Sequence, residues 1–191
     1  GDLLGYVCRF ESSDGKIFRP LTYAQPKAGG KPVWRWESWP APRPLYRLDG
    51  LAQRSDARVL IAEGEKAADA AAELLPEVVT TTSPNGSKSA AKADWSPMRG
   101  RDVVVWPDAD VAGLEYANVV AAEVAAVGAA SVVIISPPHD CTGGWDAADA
   151  LADGWDAKRT AALIADAQAA PGNGKSKRSP IRQRRPAQRD L

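Results

Sequence analysis

Acidic residues follow three short apolar runs in this 191-residue chain. Glu63-Gly64-Glu65 comes directly after Val59-Leu60-Ile61-Ala62, and Asp108-Ala109-Asp110 follows Val103-Val104-Val105-Trp106-Pro107. Asp146 and Asp149 lie beyond a third run, Ser131-Val132-Val133-Ile134-Ile135. Carboxylates brought together repel, and each destabilises a fold unless a cation or a proton compensates. Hard oxygen donors of this kind suit Mg²⁺, which leaves coordination positions for substrate phosphates. The pattern predicts a phosphate-handling metal site. Taken singly, each signal has a plainer reading. An Asp-x-Asp after a strand also makes turns and helix caps, and Glu63 also suits the positive end of a helix dipole.

The elements that must position these acids are legible in the periodicity. Runs at 58–62, 78–82, 102–106 and 131–135 are apolar throughout and alternate with helical stretches at 65–75, 89–95, 113–127 and 146–169. Strands buried on both faces and alternating with helices predict an α/β fold with a four-stranded, mostly parallel sheet flanked by helices. In such sheets ligands bind at the carboxyl ends of the strands, where the acids fall. Between the first two acidic tips runs Ser83-Pro84-Asn85-Gly86-Ser87-Lys88-Ser89. Asn85, Ser87 and Lys88 could touch nucleotide phosphates or a template, and a plain polar turn fits nearly as well. The segment lacks the spacing of a P-loop.

Residues 1–50 read differently. Extended runs at 5–10 and 16–21 flank Ser12-Ser13-Asp14-Gly15, a hairpin signal, and a third run at 33–39 precedes a proline-broken connector at 40–44. A small N-terminal antiparallel β unit is expected. Trp34, Trp36 and Trp39 could stack on bases, although packing of a small sheet is the simpler reading. Trp95, Trp106, Trp145 and Trp155 read as packing, and His139 as a solvated loop residue.

Composition bounds the rest. Net charge is zero from 24 basic and 24 acidic residues, but residues 172–191 hold seven basic residues and one acid, leaving 17 basic against 23 acidic in residues 1–171. The tail is read as disordered, either a linker or a nucleic-acid-attracting arm carrying Lys175, Lys177, Arg178, Arg182, Arg184, Arg185 and Arg189. The organisation expected is a β appendage over 1–50, a catalytic domain over 51–170 and a basic tail over 171–191. No apolar run approaches the roughly 18–20 residues of a membrane-spanning helix, and no signal peptide pattern opens the chain, which predicts a cytoplasmic protein. Cys8 and Cys141 suit neither a disulfide framework nor a zinc cluster. A start at Gly1 rather than Met predicts a piece of a longer protein.

From about Arg58 to Asp149 the sequence resembles the TOPRIM family, shared by bacterial-type primases, topoisomerases and some nucleases. The resemblance is carried by Val59 to Gly64, by Val103 to Asp110, and by Trp145-Asp146-Ala147-Ala148-Asp149. The form Glu63-Gly64-Glu65-Lys66-Ala67-Ala68-Asp69 looks most like primases of phages, plasmids and mobile elements. The resemblance implies Glu63 as the family's glutamate, Asp108 and Asp110 as its metal pair, and Asp146 as a further acid with Asp149 beside it. It implies Mg²⁺, with Mn²⁺ as a substitute, and synthesis of short primers from nucleoside triphosphates on a single-stranded DNA template, beside a helicase domain or subunit. There a nucleotide 3′-hydroxyl attacks an α-phosphate and pyrophosphate leaves.

Rival readings differ in class. The same site could hydrolyse phosphodiesters as a TOPRIM nuclease, or the chain could be a non-catalytic nucleic-acid-binding module attached to a helicase. A topoisomerase would need a tyrosine nucleophile on further domains, and Tyr6, Tyr23, Tyr46 and Tyr116 have no such context. Asp108-Ala109-Asp110-Val111 also fits the nucleophile motif of haloacid-dehalogenase-type phosphatases. That family places it on an early strand, however, whereas here it follows the third run of the sheet.

Overall fold

The computed structural model describes residues 3–13, 15–26, 29–84, 87–138, 140–141 and 143–170, with Ser87 and Lys88 described by their backbone alone. The tail at 171–191, Asn85 and His139 lie outside the described residues.

The hairpin signal produces β1 (Gly5–Ser12) and β2 (Gly15–Ala24), paired antiparallel from Gly5↔Thr22 to Ser12↔Gly15. A third strand, β3 (Val33–Arg35), pairs with β2 through Tyr23↔Trp34 and is shorter than the expected 33–39. Past it the chain turns away and Trp39 crosses the start of β1. Its Nε1 donates to the Leu4 carbonyl at 3.3 Å, and its ring lies where a Gly5 side chain would be, 2.6 Å from an added Cβ.

The proline connector is pinned. Arg43 donates from Nη1 to Ser89 Oγ at 2.8 Å, and its backbone N–H donates to the Lys92 carbonyl at 2.7 Å. Next comes α1 (Leu48–Gln53), a helix the sequence analysis does not anticipate. Its carbonyl end is capped from a distance by Arg101. That guanidinium, in a residue only 7% exposed, donates to the carbonyls of Leu51, Arg54 and Ala57. Charge-assisted bonds like these contribute about 1.5–3 kcal/mol each, enough to hold a short Gly-containing helix.

The sheet that follows contains β4 (Val59–Ala62), β5 (Val79–Thr81), β6 (Asp102–Trp106) and β7 (Ser131–Ile134). All pairs are parallel, in the order β5-β4-β6-β7. The crossover helices are α2 (Glu65–Leu74) and α3 (Val111–Ala126), and α4 (Ala147–Ala152) and α5 (Ala157–Ala169) follow β7. Short 3-10 helices at Ser87–Lys92 and Ser96–Met98 replace the helix expected near 89–95.

Strand alternation splits the core into two layers. Leu60, Ala62, Val104 and Trp106 face α2, α4 and α5, with Trp145 and Trp155 filling that layer. Val59, Ile61, Val103 and Val105 face α3, with Leu51, Trp95 and Met98 beneath it. Burying each large apolar side chain stabilises by about 1.5–3 kcal/mol, so an uninterrupted apolar run is favoured only where both faces are covered. Trp95, Trp106, Trp145 and Trp155 are packed, as expected, whereas Trp34 and Trp36 remain 46% and 57% exposed. Among the described residues, no helix is long and apolar enough to cross a membrane.

Candidate active site

The strand order decides which acids meet. β4 is followed by β5 on one side and β6 on the other, so the chain reverses direction across the sheet at the β4–β6 pair. Ligands bind at such a switch point, outside the carboxyl ends of the strands. The register sets Ala62 beside Trp106, which brings Glu63 and the Pro107–Asp108 step to adjacent tips. Glu63, Asp108 and Asp146 all line one cleft of about 520 Å³, with Glu65 and Lys66 from the first turn of α2. The opposite wall is apolar and comes from the N-terminal sheet through Val7, Phe18 and Pro20. An added Cβ on Gly64 would meet nothing within 4 Å, so the cleft stays open there.

The loop after β6 is built by local chemistry. Asp110 is the N-cap of α3, its Oδ1 accepting from the Gly113 N–H at 2.7 Å. Asp108 accepts the Asp110 N–H through its carbonyl at 2.8 Å. α3 can close so tightly on this loop because residue 113 is glycine. A Cβ there would sit 2.3 Å from the Asp108 carbonyl oxygen. The loop is then tied to the segment after β7, where Ala109 N–H donates to the Trp145 carbonyl at 2.9 Å. One residue on, Asp146 caps α4 in a reciprocal capping box with Asp149. Asp110 therefore does what the plainer reading of an Asp-x-Asp proposes, capping a helix, and Asp146 caps one as well, while both still surround Asp108. Asp110 is exposed and does not line the cleft itself.

Electrostatics single out Asp108. Its carboxyl is pushed up to about 7, first by burial and then by repulsion from Glu63, Asp146, Asp110 and Asp149. Glu65 is also raised, chiefly by burial. Such a charge excess fits a hard divalent cation, because carboxylate oxygens are its preferred donors and +2 would relieve the repulsion. The spacing is looser than a closed coordination shell: among the described residues, no three acidic, cysteine or histidine side chains are grouped closely enough to hold one ion.

Tyr116, fully buried on α3, braces the site from below. Its hydroxyl donates to the Ala62 carbonyl at 3.0 Å and lies 3.3 Å from Ser83 Oγ, joining the last residue of β4 to the loop after β5. Burial pushes its phenol upward, so it remains a neutral donor.

The side chains of the other residues read from the sequence are not described. Ser87 and Lys88 open a 3-10 helix that packs against α3, and their side chains lie outside what the structure describes. Asn85, Lys175, Lys177, Arg178, Arg182, Arg184 and Arg185 lie outside the described residues. Sequence reasoning missed Gly113, Tyr116, Lys66 and the Val7–Phe18–Pro20 wall. The Asp110-x-x-Gly113 spacing is a local signal that could have revealed the first. Nothing local marks the wall, which depends on how the two sheets dock.

Fold and site together define an α/β sheet with acids gathered at its switch point and an antiparallel sheet set against them. The fold is shared with a chain in the structure of bacteriophage T7 lagging-strand DNA polymerase interacting with primase domains of two gp4 subunits bound to an RNA/DNA hybrid and dTTP. That likeness covers 84% of this chain and 76% of that one, at 17% identity and a TM-score of 0.54. The primase fragment of the bacteriophage T7 primase-helicase protein is similar over 83% of this chain and 62% of its own, with 16% identity and a TM-score of 0.49. The DnaG catalytic core is similar over 86% and 53%, with 15% identity and a TM-score of 0.47. This chain thus spans about half to three quarters of their lengths. No protein-family model and no curated protein matches the sequence. The structural likeness is one of fold, and it agrees with the resemblance carried by the motifs.

Proposed function

We propose that this chain is the catalytic core of a DNA primase-type nucleotidyltransferase, making short primers on single-stranded DNA in the cytoplasm for a phage or plasmid-like replicon. The observation that supports it is Asp108, held among four further carboxylates at the switch point of a primase-like fold. Asp108 and Asp110, with Glu63 and Asp146 beside them, would hold Mg²⁺ or Mn²⁺, which when bound would neutralise phosphate charge and activate a 3′-hydroxyl. The chain's own groups supply the rest. Lys66 offers a cation at the cleft for the phosphates of a nucleoside triphosphate, and Val7, Phe18 and Pro20 offer carbon to its base. The helix N-termini capped by Asp110 and Asp146 add fixed positive dipole ends beside the acids. A helicase domain or subunit is the proposed partner.

The test is incorporation of labelled nucleotide on single-stranded DNA with Mg²⁺ or Mn²⁺, comparing the chain with Asp108→Asn/Asp110→Asn. Short products that disappear in the double variant support the proposal. Shortening of the DNA template in place of extension, with the same dependence on both acids, would move the reading to a nuclease.

A further inference from the structure

The N-terminal sheet has two faces, and only one belongs to the cleft. Alternation along the strands sends Val7, Phe18 and Pro20 toward the acids. It sends Tyr6, Phe10, Tyr23, Trp34 and Trp36 to the other side, each 46–57% exposed. These rings form two contiguous groups. Trp34 lies 5.5 Å from Tyr6 and 5.2 Å from Tyr23 between centroids, and Trp36 lies 5.8 Å from Phe10. Soluble proteins rarely leave such a patch open without a use.

Charge argues for the occupant. Over residues 3–39, the described acids are Glu11 and Glu37, and both are already ion-paired, with Arg9 and Arg35. Lys16, Arg19 and Lys31 then make the unit positive. Arg19 lies on the aromatic face itself, opposite Cys8 and between Tyr6 and Phe10 in register. Aromatic rings with a cation among them and no carboxylate suit a polyanion whose bases can stack. Residues 40–170 hold 11 basic against 19 acidic residues, a surface less suited to the same ligand.

We infer that this face is a stacking platform for single-stranded DNA, holding template on the side of the sheet opposite the cleft. The choice of DNA rests on the primer-synthesis reading, since stacking alone accepts any base. Full-length chain is titrated into a labelled oligo-dT of about 15 nucleotides, in EDTA and without nucleotides. About 0.3 M salt is used so that purely electrostatic binding is weak. Trp36→Ala, at an exposed position, should weaken binding at least about five-fold, with an unchanged melting temperature, and Trp36→Tyr should restore most of it. Arg19→Ala should reduce the slope of log affinity against log salt by about one.

Equal binding by wild type and Trp36→Ala would overturn the inference. So would a wild-type dimer that Trp36→Ala dissociates, or tighter binding of the matching RNA. Neither metal nor nucleotide is present. A chain that binds through Trp36 but makes no primer therefore keeps this inference and loses the function proposed above, and the converse result does the reverse.

Discussion

Replacing Asp108 by Asn should make the metal-free protein more stable while removing its activity. The native state holds a proton on Asp108 up to about pH 7, whereas the ordinary value, taken for the unfolded chain, is 3.8. Between those values the native state binds more protons than the unfolded one, so stability falls as pH rises, and the full penalty is present above about 7. A difference of roughly three pKa units corresponds to about 4 kcal/mol. Small outward movements of the carboxylates relieve part of this, leaving an expected gain of about 2–4 kcal/mol. For a domain of this size that is a rise on the order of 5–15 °C in melting temperature. Asparagine keeps the side-chain shape, and among the described residues nothing donates a hydrogen bond to the Asp108 carboxylate that the change would break. The assay is thermal melting in EDTA of wild type and Asp108→Asn from pH 4 to pH 8. The variant's advantage should be near zero at pH 4, grow through pH 5–7 and level off above. An advantage independent of pH, or none at pH 8, would refute the electrostatic account of the site.

Adding Mg²⁺ at pH 8 should raise the melting temperature of wild type and leave that of Asp108→Asn nearly unchanged. Gly113→Ala should cost about 3 kcal/mol or more through overpacking, because the added carbon meets the Asp108 backbone. Urea melts at pH 5, where Asp108 is protonated in the native state, would isolate that steric effect. Tyr116→Phe should lose about 1–3 kcal/mol by orphaning the buried Ala62 carbonyl. It should also lower primer synthesis per folded molecule, read from activity normalised to the folded fraction.

The sheet was legible because burial on both faces leaves a local mark. β4 needs apolar side chains at every position and β6 from Val103 to Trp106, and no turn or surface strand imposes that. The capping roles of Asp110 and Asp146 were equally local, since each bonds to N–H groups two or three residues away. α1 was not legible. Leu48–Gln53 contains Gly50, and its carbonyls are satisfied by Arg101, about fifty residues on.

The sequence by itself determined which residues are acids at strand ends and which segments form the hairpin, because turn chemistry and capping act within a few residues. Only the tertiary structure decided that Glu63, Asp108 and Asp146 share one cleft, because strand order, not spacing, sets which tips are neighbours. It also decided that Val7 and Phe18 face those acids while Trp34 and Trp36 stay open to solvent. Pleating assigns side chains to two faces of a sheet, but which face is covered depends on what docks against it.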